Sequence, residues 1–115
     1  MYQLLLSVIV VARNESANLE PTLTNLARIV SGMVSDYEIV IVDNASDDDS
    51  VATLKRLTMQ GGLPNLQVFA LTKSVDGDTA SWVGIENSLG DYAVVIDPWV
   101  ENPDVIADML EQGLA

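Results

Sequence analysis

Tyr37-Glu-Ile-Val-Ile-Val-Asp-Asn-Ala-Ser46 decides the fold. Five of its first six residues are aromatic or aliphatic, and the run then breaks into Asp43, Asn44, Ala45, Ser46, Asp47, Asp48 and Asp49. A buried strand that ends in short polar side chains delivers them to the carboxyl edge of a sheet. In open α/β sheets that edge is where ligands bind. The stretch therefore predicts a strand over Ile39–Val42 and a small-molecule site just beyond it.

Upstream, Leu4–Ala12 is a near-continuous apolar run rich in Val and Ile, the pattern of a parallel strand covered on both faces. It lacks a basic leader and a small-residue cleavage site, and its nine residues are too few to span a bilayer as a helix. A buried first strand is the better reading. Helical spacing follows at Leu19, Leu23, Leu26, Ile29 or Val30, and Met33. Pro21 near the start of this helix lacks an N–H where none is needed. Gly32 and Ser35-Asp36 mark its end.

Downstream, Asp47-Asp48-Asp49 precedes an amphipathic helix carrying Val51, Leu54 and Leu57, with Lys55 and Arg56 at its end. Both charge placements suit the helix dipole. Leu66–Leu71 reads as a third strand, Lys73–Asp78 as a mobile polar loop, and Ala80–Leu89 as a helix ended by Gly90. Tyr92–Ile96 reads as a fourth strand. Asn102-Pro103 predicts a cap with Pro at the first helical position, and Gly113 the end of that helix. The β-α-β-α-β-α-β-α alternation predicts an α/β fold, a doubly wound, mostly parallel sheet with helices on both faces.

Acidic residues outnumber Lys and Arg by 17 to 5, for a net charge of −12. That balance argues against nucleic acid and against an anionic membrane surface, both of which need a basic face. The chain has no Cys and no His. Disulfides, thiol nucleophiles and imidazole chemistry are excluded. Any metal site must use oxygen ligands, which favours Mg²⁺, Mn²⁺ or Ca²⁺. The lack of Cys fits a cytoplasmic protein.

Arg13-Asn14-Glu15, Asp43-Asn44-Ala45-Ser46 and Asp97 all stand at strand ends, so one edge gathers them. Each cluster alone is also what a helix cap or Asx-turn needs. A dinucleotide-binding Rossmann motif is excluded, because Ala12-Arg13-Asn14-Glu15 stands where G-x-G-x-x-G belongs. There is no P-loop, and a receiver domain would need an acidic pair where only Glu15 stands.

Ser7-Val-Ile-Val-Val-Ala-Arg-Asn-Glu15, Tyr37–Ser50 and Gly90-Asp-Tyr-Ala-Val-Val-Ile-Asp97 occur in order and well spaced. Together they resemble the nucleotide-binding half of family 2 glycosyltransferases, which have the GT-A fold. The resemblance covers essentially the whole chain. It implies that residues 1–115 form one nucleotide-diphospho-sugar-binding domain, truncated relative to a full catalytic domain. Arg13 would pack on the nucleobase, Asp43 and Asn44 would hold base and ribose, and Ala12, Glu15 and Ser46 would complete the nucleotide site. Asp97 would match the first Asp of the D-x-D signature, which holds a divalent cation, Mg²⁺ or Mn²⁺, against the diphosphate.

The chain departs from that pattern in three places. Trp99 stands where D-x-D has its second Asp, with Glu101 nearby as a substitute. The loop before the third helix reads Val75-Asp76-Gly77-Asp78, where the family carries Gly, Arg or Lys. Trp82 replaces the usual Asn. The resemblance thus implies a domain binding a nucleotide-diphosphate sugar within an enzyme of glycan or cell-envelope synthesis, inactive on its own. The alternative is a degenerate, non-catalytic scaffold, favoured by Trp99, Asp76 and Asp78. A homodimer would cover its open sheet edge.

Overall fold

A computed structural model describes residues 2–114. Four strands, β1 (Tyr2–Ala12), β2 (Val34–Asp43), β3 (Leu66–Ala70) and β4 (Tyr92–Val95), alternate with four helices. The helices are α1 (Leu19–Ser31), α2 (Ser50–Leu57), α3 (Gly77–Glu86) and α4 (Val105–Leu114). The strands form one sheet in the order β3-β2-β1-β4, and every pair is parallel. The doubly wound α/β expectation holds.

β1 and β2 are the central strands, which is why their runs are apolar on both faces. Leu6, Val8, Val10, Ile39 and Ile41 point to the main core, where they meet Leu19, Leu23, Leu26 and Val30 of α1. Leu54 and Leu57 of α2 and Ile106 and Leu110 of α4 complete it. Each fully buried Leu contributes about 1.5–3 kcal/mol. On the opposite face, α3 lies against Ile9 and Val42. It approaches so closely that a Cβ on Gly84 would sit 2.5 Å from Ile9 Cγ2.

Four boundaries differ from the sequence reading. β2 begins at Val34 and not Ile39: Val34 is buried, and Ser35 and Asp36 are strand residues with exposed side chains. α3 begins at Gly77, inside the segment read as a mobile loop, because the Asp76 carboxylate accepts the Thr79 N–H at 2.7 Å and caps it. Pro103 is not the first helical residue. Asn102 Oδ1 accepts the Asp104 N–H at 3.0 Å in a separate turn, and α4 starts at Val105. α4 also runs through Gly113 rather than ending there. Among the described residues no helix is long and apolar enough to cross a membrane.

Candidate functional site

The register Ala12↔Asp43 brings the ends of β1 and β2 side by side. Both chains then turn sharply, with Asn14 and Ala45 each at φ 56°. Asn tolerates this left-handed conformation, whereas Ala at such a φ costs roughly 1–2 kcal/mol. The strain is held by hydrogen bonds that lace the two loops together.

Asp43 lies at the base of this lacing, fully buried. Its carboxylate accepts the Ser46 N–H at 3.0 Å and the Ser46 hydroxyl at 2.6 Å. Ser46 Oγ in turn accepts the Asn14 N–H at 2.9 Å, and Asn14 Oδ1 accepts the Asp47 N–H at 2.7 Å. Ser50 Oγ accepts from the Glu15 N–H at 3.2 Å and donates to Asp48 at 2.5 Å. The Ser50 hydroxyl is the main reason that the Asp48 carboxyl drops from 3.8 to about 2. Asp76 is lowered as well, chiefly by the Thr79 N–H.

Asn44 is buried and clips this edge to the loop before α3. Its Nδ2 donates to the Val75 carbonyl at 2.7 Å and its Oδ1 accepts the Val75 N–H at 2.9 Å. Arg13 and Glu15 reach the surface. The Arg13 guanidinium lies 3.6 Å from Asp47, with the two side chains 48% and 83% exposed. Ala12 is buried beneath them, and its carbonyl accepts the Asn44 N–H at 2.8 Å. Sequence reasoning missed Asn14, Asp48 and Ser50 as the lacing residues. The enrichment of Asn in left-handed turns was the available signal.

Asp97 stands across the edge, one strand beyond β1. It is exposed, and its Oδ1 accepts the Trp99 N–H at 3.3 Å. Glu101 Oε1 accepts the Asp97 N–H at 3.0 Å. The Trp99 indole N–H donates to the Val11 carbonyl at 2.9 Å, so the ring lies over the end of β1. A cleft of about 360 Å³ opens between β4 and the start of α3, lined by Asp78, Ser81, Asp97 and Glu101. A second, of about 450 Å³, lies between Glu15 and Trp99. A further concavity, about 720 Å³, is a groove between α1 and α2 that touches none of the predicted site residues.

Among the described residues no group of three or more Asp or Glu could hold a metal ion by itself. Asp97, with Glu101 beside it, suits a hard cation that a diphosphate brings along and mostly coordinates, since such ions need only one or two protein carboxylates.

A family model described as Glycosyl transferase family 2 matches residues 7–111. The undecaprenyl-phosphate 4-deoxy-4-formamido-L-arabinose transferase of Pseudomonas fluorescens is 26% identical over 108 residues, 93% of this chain and 31% of its own length. The dolichol-phosphate mannosyltransferase of Saccharomyces cerevisiae is 30% identical over 109 residues, 94% of this chain and 40% of its own. The chain thus spans about a third of the length of the curated relatives it matches. Among solved structures, the mannosyltransferase PcManGT from Pyrobaculum calidifontis, in complex with GDP-Man and Mn²⁺, superposes with a TM-score of 0.75 at 24% identity. That superposition covers 96% of this chain and 32% of PcManGT. S. aureus TarS 1-349 in complex with UDP-GlcNAc gives 0.68 at 20% identity, over 97% and 32%. Both likenesses concern the fold, which is that of the GT-A glycosyltransferases.

Proposed function

The chain belongs to glycosyl transferase family 2, and from that membership we propose that its carboxyl edge binds a nucleotide-diphosphate sugar. The observation that carries the reading is the convergence of the β1, β2 and β4 ends on one edge. Arg13, Glu15 and Ser46 would contact the nucleoside. Asp43 and Asn44 would act from beneath, and Ala12 would contribute backbone. The diphosphate would lie toward the cleft between α3 and β4, with Asp97 holding the Mg²⁺ or Mn²⁺ that accompanies it. When bound, that cation neutralises charge on the departing diphosphate.

If the chain belongs to a longer enzyme, the reaction would be sugar transfer. The bond from the anomeric carbon to the diphosphate breaks, a bond to the acceptor oxygen forms, and the nucleoside diphosphate leaves. The relatives' names point to a polyprenyl phosphate as the acceptor. A phosphate monoester is already mostly ionised at neutral pH, so its attack needs no general base. We place the reaction in the cytoplasm, which the lack of Cys supports, and take residues 1–115 as the donor-binding domain, inactive alone.

One observation favours a second reading. Trp99 is tied to Val11 across the end of β1, where an incoming diphosphate would need room. A degenerate domain that serves as a scaffold would keep such a plug, and a second copy could pair with the free edge of β4.

Calorimetric titration with UDP, GDP and dTDP, each with and without Mn²⁺, separates the two. Metal-dependent binding of one nucleotide, lost in Asp97→Ala, is expected for the donor site. No heat from any of them at high concentration would leave only the scaffold.

A further inference from the structure

A polar ladder crosses the sheet on the face that α3 covers, well away from the carboxyl edge. Glu38, midway along β2, is only 6% exposed. Its Oε1 accepts from Gln67 Nε2 of β3 at 2.5 Å. Its Oε2 accepts the hydroxyl of the fully buried Ser7 of β1 at 2.5 Å and the Leu89 N–H at 2.6 Å. Ser7 Oγ accepts the Gly90 N–H at 2.9 Å. The ladder therefore joins three strands to the turn that leads into the fourth.

That turn is held hard against β1. The Asp91 N–H donates to the Leu5 carbonyl at 2.8 Å, and Asp91 Oδ2 accepts the Leu5 N–H at 2.9 Å. Gly90 has no room for a side chain: a Cβ there would lie 2.5 Å from Ser7 Oγ and 2.7 Å from Ser7 N. β4 itself is weakly specified. It has four residues, all aromatic or aliphatic, and among the described residues it pairs on one side only. A slip of one residue would exchange its two faces.

We propose that Glu38 is a positioning residue that fixes the register of β4 and so sets where Asp97 stands. The ladder fixes the turn at Leu89–Asp91. The turn fixes Tyr92 opposite Leu6, and five residues on, the strand delivers Asp97 to the edge. A buried carboxylate is a poor way to add stability but an effective way to exclude alternative pairings. The inference deepens the donor-site reading through Asp97, yet its test does not depend on nucleotide binding.

The experiment is amide NMR and hydrogen exchange on the whole chain with Glu38→Leu and Glu38→Gln. For Glu38→Leu we expect a folded protein whose Tyr92–Asp97 amides show doubled resonances. Their exchange should be faster by at least about tenfold, while the β1–β2 amides stay single and protected. Glu38→Gln, which keeps an acceptor oxygen, should restore the single set. A Glu38→Leu protein with one undisturbed set at 92–97 would overturn the proposal. So would a uniform loss of protection across all four strands, which marks a merely stabilising role. If Glu38→Leu does not fold, Ser7→Ala is read by the same signals and the same two results overturn the proposal.

Discussion

The two shoulders of the carboxyl edge are built in opposite ways. On the β1–β2 shoulder, side chains from one loop satisfy backbone N–H groups of the other, and the clip from Asn44 extends the net to the loop before α3. On the β4 shoulder, Asp97, Trp99, Val100 and Glu101 bond mainly to one another, and the indole of Trp99 is the tie to β1. The first shoulder couples its polar residues to stability. The second leaves Asp97 and Glu101 exposed, where a ligand can use them at little structural cost.

The strongest way to break this contrast is Asp43→Ala. Losing two hydrogen bonds to a buried carboxylate should cost about 2–3 kcal/mol, read as a lower urea midpoint at unchanged slope. A loss under about 0.5 kcal/mol would put Asp43 outside the stabilising net. Next is Trp99→Phe, which keeps the ring but removes the indole donor to Val11. It should cost about 1 kcal/mol by the same measurement. Ala45→Gly sharpens the contrast from the other side. Relief of the left-handed strain outweighs the greater freedom of glycine in the unfolded chain, so stability should rise by about 0.5–1 kcal/mol, read as a higher urea midpoint. Asp97→Ala should change stability by less than about 0.5 kcal/mol, while nucleotide affinity falls in calorimetry.

The subtlest test is acid. Because the folded pKa of Asp48 is depressed from 3.8 to about 2, its contribution to stability is complete above about pH 4. It is lost as the pH falls from there through about 2. Carboxyl-carbon NMR titration should find its midpoint near about 2, and a midpoint at the ordinary 3.8 would remove Asp48 from the lacing.

Much of this was legible in the sequence because burial writes itself as composition. The apolar runs at Leu4–Ala12 and Ile39–Val42 could only be two-faced strands, and the polar breaks after them marked the edge. The amino end of β2 was not legible, since Ser35 and Asp36 read as a helix stop and only pairing with β1 makes them strand. The start of α3 was hidden because Lys73–Asp78 reads as a polar loop, and Asp76 becomes a cap only when the Thr79 N–H folds back onto it. The site residues were found by type but not by engagement. Nothing local in Asp43-Asn44 shows that Ser46 and the Val75 backbone take up their side chains, because those partners are chosen by the turns at Ala45 and ahead of α3.

The sheet order has a consequence for how the molecule is made. β1 leaves the ribosome first, yet one of its edges waits for β4: Leu5 and Asp91, which bond across that edge, are 86 residues apart. At ordinary synthesis rates that separation is on the order of 4–17 s. Through that interval one of the most apolar stretches of the chain has a bare side. Parallel pairings this distant also close slowly. The strand that anchors the finished fold is therefore the one that waits longest for its last partner.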